Sequence, residues 1–339
     1  MVAIAVEKPL ELSLRADPAL APGPGDVVIA VQRAGICGSD LHILHGSNPF
    51  AEYPRIIGHE MAGVVEFVGA AATGLAVGDH VVVDPVVSCG HCYPCRIGRT
   101  NVCANMQVIG VHLDGGFRDR MAVPFRNAVK VSPDLPFAIA ALAEPLSVAT
   151  NVLARTGCTA EDVVLIYGAG TVGVTVLQVA KMFGARCIVA DPDGARLDRA
   201  RRFGADVTID PRRVPVAEVV APELDGIGPS LVIDGAGDPA LLLEACQLAA
   251  PAGRIGLLGF SAELSPVIQQ EIVRKELTII GSRLNRRLLG QVVEWLETGR
   301  LQPAAMITQT FAARDAVAAF DLIENHPEQT VKVQLVFGT

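Results

Sequence analysis

The stretch VVLIYGAGTVGV, residues 163–174, decides the fold. Five apolar residues run directly into Gly168-Ala169-Gly170-Thr171-Val172-Gly173, and a helical stretch, VTVLQVAKMFGA, opens at the last glycine. A GxGxxG run alone is weak evidence, because glycine-rich turns commonly join a strand to a helix. Here the setting is complete: the first Gly allows a tight turn, the second lets the backbone approach a pyrophosphate, and the third lets helix and strand pack closely. The helix N-terminus then favours phosphate charge. Asp191 ends the next strand, RCIVAD, 18 residues after Gly173, where a carboxylate can accept hydrogen bonds from adenosine ribose hydroxyls and repel a 2′-phosphate. The reading is NAD rather than NADP, with Arg196, Arg199, Arg201 and Arg202 as the opposing signal. A helix N-cap is the plainer alternative for Asp191.

Outward from this turn, VTIDP, SLVIDGAG, RIGLLGF and TIIGS continue the apolar strands, separated by helical stretches such as GARLDRARRFGA and PALLLEACQLAAPAG. That alternation predicts a doubly wound parallel sheet covered on both faces, over residues 146–283. Upstream, residues 1–145 read as short strands closed by Gly, Pro or Asp, as in VVIAVQRAG, AGVVEFVG and GDHVVVDP, which fits a small barrel-like β domain. The tail, residues 284–339, carries an amphipathic helix around Trp295 and the strand VKVQLVFG. It is too short to fold alone and is expected to return to the first domain.

The composition agrees with a folded chain of about two domains. It has 339 residues, 50% of them hydrophobic, with 33 Gly and 22 Pro. Its 28 basic and 36 acidic residues leave a net charge of −8, and no long Lys/Arg block occurs, which argues against nucleic acid or an anionic membrane as partner. The apolar runs are broken before the roughly 20 residues a bilayer span needs, and MVAIAVEKPLELSLR lacks the marks of a signal peptide. A cytoplasmic location and a small-molecule partner are the expectations. In that compartment the 8 Cys are thiols or metal ligands rather than disulfides.

Two sets of candidate ligands stand out. Cys89, Cys92, Cys95 and Cys103 lie within 15 residues that include Gly90, Pro94 and Gly98, so the loop can wrap one tetrahedral zinc with no open position. An iron–sulfur cluster or free thiols are the rivals, although the last spacing departs from C-x3-C-P and no second run occurs. The other set is dispersed: Cys37 in GICGSDLH, His59 and Glu60 in GHE, and Glu144 in AEP. Together they supply the thiolate, imidazole and carboxylate that a catalytic zinc favours, but spacing this wide cannot show that they meet.

GICGSDLH, GHE, the four-cysteine lobe, AEPLSVA and GAGTVG occur in the order found in zinc-dependent medium-chain dehydrogenases, and the resemblance runs through essentially the whole chain. It is similar to the sorbitol dehydrogenase-like branch, because Glu144 stands where animal alcohol dehydrogenases carry Cys. PRIIGHE, VVVDPVVSCGHCYPC, VIGVHLDGGF and GSRLN further resemble the bacterial starvation-sensing proteins and the 5-dehydrogenases of L-gulonate, L-galactonate or L-idonate. The resemblance implies a GroES-like catalytic domain joined to a Rossmann domain, and two zinc ions per chain.

It further implies that Cys37, His59 and Glu144 hold the catalytic zinc, with Glu60 an alternate or water-mediated ligand, and that Asp40 orients His59. Ser39 would sit beside the reacting alcohol and His42 at the outer end of a proton relay. A turn or helix cap is the alternative for these three. The reaction implied is oxidation of a secondary alcohol, with proton loss through the relay and hydride transfer to NAD. Arg283 and Asn285 are the substrate candidates, Arg offering a two-pronged match to a carboxylate, with an interdomain salt bridge as its alternative. His45, Asn48 and Phe50 are further candidates. After Gly115-Gly116-Phe117 the chain departs from its relatives with Arg118-Asp119-Arg120, which lies either on the surface or in the pocket. A polyol dehydrogenase and a non-catalytic NAD-binding redox sensor are the competing functions. The TIIGS strand could pair across a two-fold axis, giving a homodimer or homotetramer.

Overall fold

A computed structural model describes residues 2–17 and 19–338 of the chain. It contains two units: Met1–Ser147 with Asn285–Thr339, and Val148–Leu284. The chain leaves the first unit within the helix Ala143–Thr156 and re-enters it at Asn285.

The second unit is built on six parallel strands in the order Val207–Ile209, Arg186–Ala190, Val163–Tyr167, Leu231–Asp234, Arg254–Leu257 and Thr278–Gly281. This is the doubly wound order, in which the strand order reverses beside the first strand and leaves a binding crevice at the carboxyl ends. Leu165, Ile188, Val232 and Ile255 are fully buried, as expected of strands covered on both faces. At the opposite end of the sheet, Arg254 donates to the carbonyls of Thr156 and Gly157 at 2.8 and 2.9 Å and pairs with Asp162. Ser230 donates to the same carboxylate at 2.6 Å. One buried carboxylate thereby fixes the starts of three strands.

The first unit carries a seven-stranded sheet. Its order is Ala128–Val131, His80–Val83, Glu60–Val68, Asp26–Ile36, Lys332–Val336 and Ile307–Ala312, with Arg120–Pro124 also pairing to Asp26–Ile36. A smaller sheet joins Glu11–Ala16, Val2–Lys8 and Arg55–Ile56. The tail thus supplies two strands, one more than its sequence pattern shows, together with the helices Leu289–Glu297 and Ala316–Asn325. Lys332–Val336 pairs with Asp26–Ile36 on one side and Ile307–Ala312 on the other, so the tail extends the sheet by its last two strands.

Arg118-Asp119-Arg120 fastens the N-terminal strand. Arg118 is buried on Asp17 at 2.5 Å, and Asp119 accepts from the Val2 amide at 2.7 Å. Arg120 forms an exposed pair with Glu66. The expectation that every apolar run stops short of a bilayer span needs one correction. The helical run Phe137–Thr156 is long and apolar enough by length and composition, but 72% of its apolar window is buried inside the protein, as in a core helix.

Leu165→Ala is expected to lower the unfolding free energy by about 2–5 kcal/mol through lost burial and a residual cavity. The urea midpoint of the unit it belongs to measures this.

Candidate active site

Strand register assembles the metal site. In the antiparallel pairing of Asp26–Ile36 with Glu60–Val68, Gly35 lies opposite Glu60. Cys37, just past the end of one strand, therefore meets His59 and Glu60 at the start of the other. Their ligand atoms lie within 4.8 Å of one another. Cys37 also caps the short helix Gly38–Leu44, and Asp40 in its first turn is fully buried. One Asp40 oxygen accepts from the Cys37 amide at 2.9 Å; the other accepts from the Gly58 amide at 3.2 Å and lies 3.6 Å from His59 Nδ1. A single carboxylate ties both ligand segments together and orients the imidazole.

Burial alone would push His59 toward neutrality. The charges of Asp40 and Cys37 outweigh it and raise the imidazole pKa well above its ordinary value. Ser39 Oγ lies 3.5 Å from His59 Nε2, at the face where a ligand would sit. His42 is exposed, with Nδ1 3.1 Å from Ser47 Oγ.

The structure places Glu60, and not Glu144, in the compact triad. Glu60 adjoins His59 on one strand, whereas Glu144 arrives at the start of a helix. Glu144 is buried and electrostatically coupled to the triad: burial raises its carboxyl to about 7, His59 and Lys332 oppose the rise, and Glu60 adds to it. Lys332, invisible as a site residue in the sequence, donates to Glu60 Oε1 at 2.6 Å and to the Ile36 carbonyl at 3.1 Å. The only local signal is a lone charge inside the strand motif VKVQLV. Glu60 Oε2 is buried without a hydrogen-bond partner. A thiol, an imidazole and a carboxylate that keeps one buried oxygen unsatisfied, with ligand atoms within 4.8 Å of one another, are a donor set that fits zinc.

The second cluster is local. Cys89, Cys92, Cys95 and Cys103 have ligand atoms within 4.8 Å of one another, with the Cys92–Cys95 and Cys89–Cys103 sulfurs each 3.4 Å apart. Amides of His91 and Cys92 lower Cys89 to about 6, while burial raises Cys95 to about 11. Amides donate to Cys103 Sγ from Cys89 and Asn105, both at 3.3 Å. Four sulfurs with such amide donors suit a closed structural zinc site.

In the second unit the glycine-rich turn is tight. Gly168 donates to the Ala190 carbonyl at 2.8 Å, and the helix Thr171–Met182 starts at the N-cap Gly170. A Cβ at Gly173 would lie 1.8 Å from the Gly168 carbonyl, so only glycine permits this crossing. Val172 is exposed on the first helical turn. Asp191 accepts from the Ala169 and Asp193 amides, both at 2.7 Å, which locks the turn to the end of the neighbouring strand. Asp193, not Asp191, is the N-cap of the following helix Gly194–Arg202, accepting from Arg196 N. The Arg196 guanidinium lies 3.9 Å from Asp191.

Among the substrate candidates, Asn285 is fully buried, donating to Asp84 at 3.4 Å and accepting from Leu288 N at 3.3 Å. Its amide positions the chain where it re-enters the first unit. Arg283 is half-buried with its guanidinium over the Phe260 ring. His45 pairs with Glu324, Asn48 accepts from the Phe50 amide, and Phe50 stacks on His112.

Residues 23–133 match the alcohol dehydrogenase GroES-like domain, and residues 171–298 match the zinc-binding dehydrogenase domain. The starvation-sensing protein RspB of Escherichia coli K12 is 45% identical over the full length of both chains. A crystal structure of rspB from E. coli CFT073, complexed with NADH, superposes with a TM-score of 0.96 over 99% of each chain. L-threonine 3-dehydrogenase of Pyrococcus furiosus is 37% identical over 89% of each chain. L-galactonate-5-dehydrogenase of E. coli is 33% identical over 82% of this chain and 81% of its own. The chain belongs to the zinc-binding dehydrogenases with a GroES-like domain, a family of NAD(P)-dependent alcohol and sugar dehydrogenases.

Zinc added to chelated protein near pH 6.5 is expected to release protons from both sites, because Cys95 in the lobe and His59 and Glu144 at the triad hold theirs at that pH without metal. The Glu144 share disappears as pH rises through about 7, and a pH-indicator titration in weak buffer reads it. The same raised pKa means that Glu144 stabilises the metal-free fold at low pH and loses this contribution between its unfolded value and about 7. Cys95→Ser should cost one of two bound zinc ions by metal analysis and lower the Tm.

Proposed function

We propose that this chain is a zinc- and NAD-dependent dehydrogenase that oxidises a secondary alcohol at C5 of a sugar acid of the L-gulonate, L-galactonate or L-idonate kind. The observation that carries the dehydrogenase reading is the Cys37–His59–Glu60 triad with an unsatisfied buried carboxylate oxygen, in a chain whose other unit holds a complete nucleotide turn. The sugar-acid part rests on the motifs shared with the 5-dehydrogenases and on the L-galactonate-5-dehydrogenase relative.

A zinc ion held at the triad would supply Lewis acidity to the alcohol oxygen, and NAD held at the glycine-rich turn would supply the hydride acceptor. Cys37, His59 and Glu60 would hold the metal, and Asp40 fixes the imidazole that would face it. Ser39 accepts the alcohol proton as it gives up its own hydroxyl proton, which leaves toward solvent by way of exposed His42. Gly168, Gly170, Thr171 and Gly173 hold the pyrophosphate at the helix N-terminus, and Asp191 receives the ribose hydroxyls. Glu144 keeps the electrostatic balance of the site.

An amino-acid alcohol is the second reading, favoured by the 37% identity to L-threonine 3-dehydrogenase. A polyol substrate is a third. Rates with L-gulonate, L-galactonate, L-idonate, L-threonine, sorbitol and xylitol at equal concentration separate them, and inactivity on every sugar acid contradicts the first. Asp40→Asn is expected to lower kcat/KM about 10–100-fold while NADH binding stays near normal. Glu144→Ala should also keep NADH binding and lose most activity.

We further place the chain in the cytoplasm as a homodimer or homotetramer. Thr278–Gly281 pairs on one side only among the described residues, leaving an edge suited to two-fold pairing. Light scattering should give the mass of two or four chains; a monomer contradicts this.

A further inference from the structure

A buried lysine that the scheme above leaves without a task lies against the metal triad. Lys332 and Glu60 are each 1% exposed, and their ion pair spans 2.6 Å. Neither group can reach water, so separating them would leave a buried unpaired charge. The lysine is also anchored by the Ile36 carbonyl at 3.1 Å, one residue before Cys37. Its strand pairs Val333 with Ile36 and Gln334 with Gly35, so sheet register fixes the ammonium relative to both ligand segments. From the other side Gly35 closes on the carboxylate. A Cβ there would lie 2.1 Å from Glu60 Oε2 and 3.2 Å from Lys332 Cδ. The carboxylate is thus pressed between a backbone that tolerates only glycine and an ammonium bound to Oε1, while buried Oε2 has no hydrogen-bond partner.

We infer that Lys332 is a positioning residue that restricts Glu60 to a single-oxygen contact with the metal, an inference that rests on the zinc reading above. A carboxylate whose Oε1 is committed to an ammonium has only Oε2 to give. Freed from the lysine, it would chelate with both oxygens and fill the coordination position that a substrate oxygen needs. The ammonium also repels the cation, which keeps the site from holding its metal at the maximum strength its three donors permit. A lysine that only stabilised the fold would give the opposite signature on removal, a looser metal.

The test uses the full chain with zinc retained in the four-cysteine lobe and Co²⁺ in the triad. Lys332→Gln is expected to bind Co²⁺ on the order of tenfold tighter, to show weaker visible d–d absorption as the coordination number rises, and to turn over about 10–100-fold more slowly. Lys332→Arg, which keeps the charge, should return metal affinity and spectrum toward those of the unaltered protein. Unchanged or weaker Co²⁺ binding with an unchanged spectrum in folded Lys332→Gln overturns the inference. Should that variant not fold, Glu60→Gln decides. Its amide oxygen would remain on the ammonium and turn the NH2 group to the metal, so Co²⁺ affinity should fall more than about tenfold; unaltered binding overturns the inference. Absence of a thiolate-to-cobalt charge-transfer band in the unaltered protein overturns the zinc reading, and this inference with it. A normal band that Lys332→Gln leaves untouched overturns the inference alone.

Discussion

One antiparallel register holds the site together. Because Gly35 faces Glu60, a thiol at the end of one strand meets an imidazole and a carboxylate at the beginning of another. A slip by one residue would turn Glu60 to the other face of the sheet and separate the donors. The same central strand receives Lys332–Val336 on its other side, so the tail completes the surroundings of the triad. Asp40 then fixes the local geometry through the Cys37 and Gly58 amides.

The cost of this arrangement is electrostatic. Asp40, Glu60 and Glu144 are almost wholly buried around a thiol, with His59 and Lys332 as the opposing positive groups. Desolvation disfavours each carboxylate unless something positive compensates it. Without metal the protein does so by keeping protons, as the raised His59 and Glu144 show. A divalent cation satisfies the same need, which explains why so polar a cluster persists in the interior of a β unit.

Features that depend on nearby residues were legible in the sequence. The Gly168–Gly173 turn, Asp191 and the four-cysteine lobe each lie within a few residues of their own geometry, and the six parallel strands announced themselves as apolar runs. Features that depend on register were not. Nothing near Lys332 in the sequence marks Glu60 as its partner, and that Glu60 clusters with Cys37 and His59 follows only from which strand faces which. Asn285 looked like a substrate contact because it follows Arg283, yet the chain crosses from one unit to the other between them. Its amide is consumed inside the first unit. Arg118 and Asp119 could not be placed from sequence because their partners, Asp17 and Val2, lie some hundred residues upstream.

The most direct measurement is anomalous diffraction at the zinc absorption edge on crystals of the purified chain. The account predicts two peaks per chain, one amid the four cysteines and one within about 2.0–2.3 Å of Cys37 Sγ, His59 and a single Glu60 oxygen. A chain with metal in the cysteine lobe but no density between Cys37, His59 and Glu60, under conditions where it turns over substrate, would contradict it.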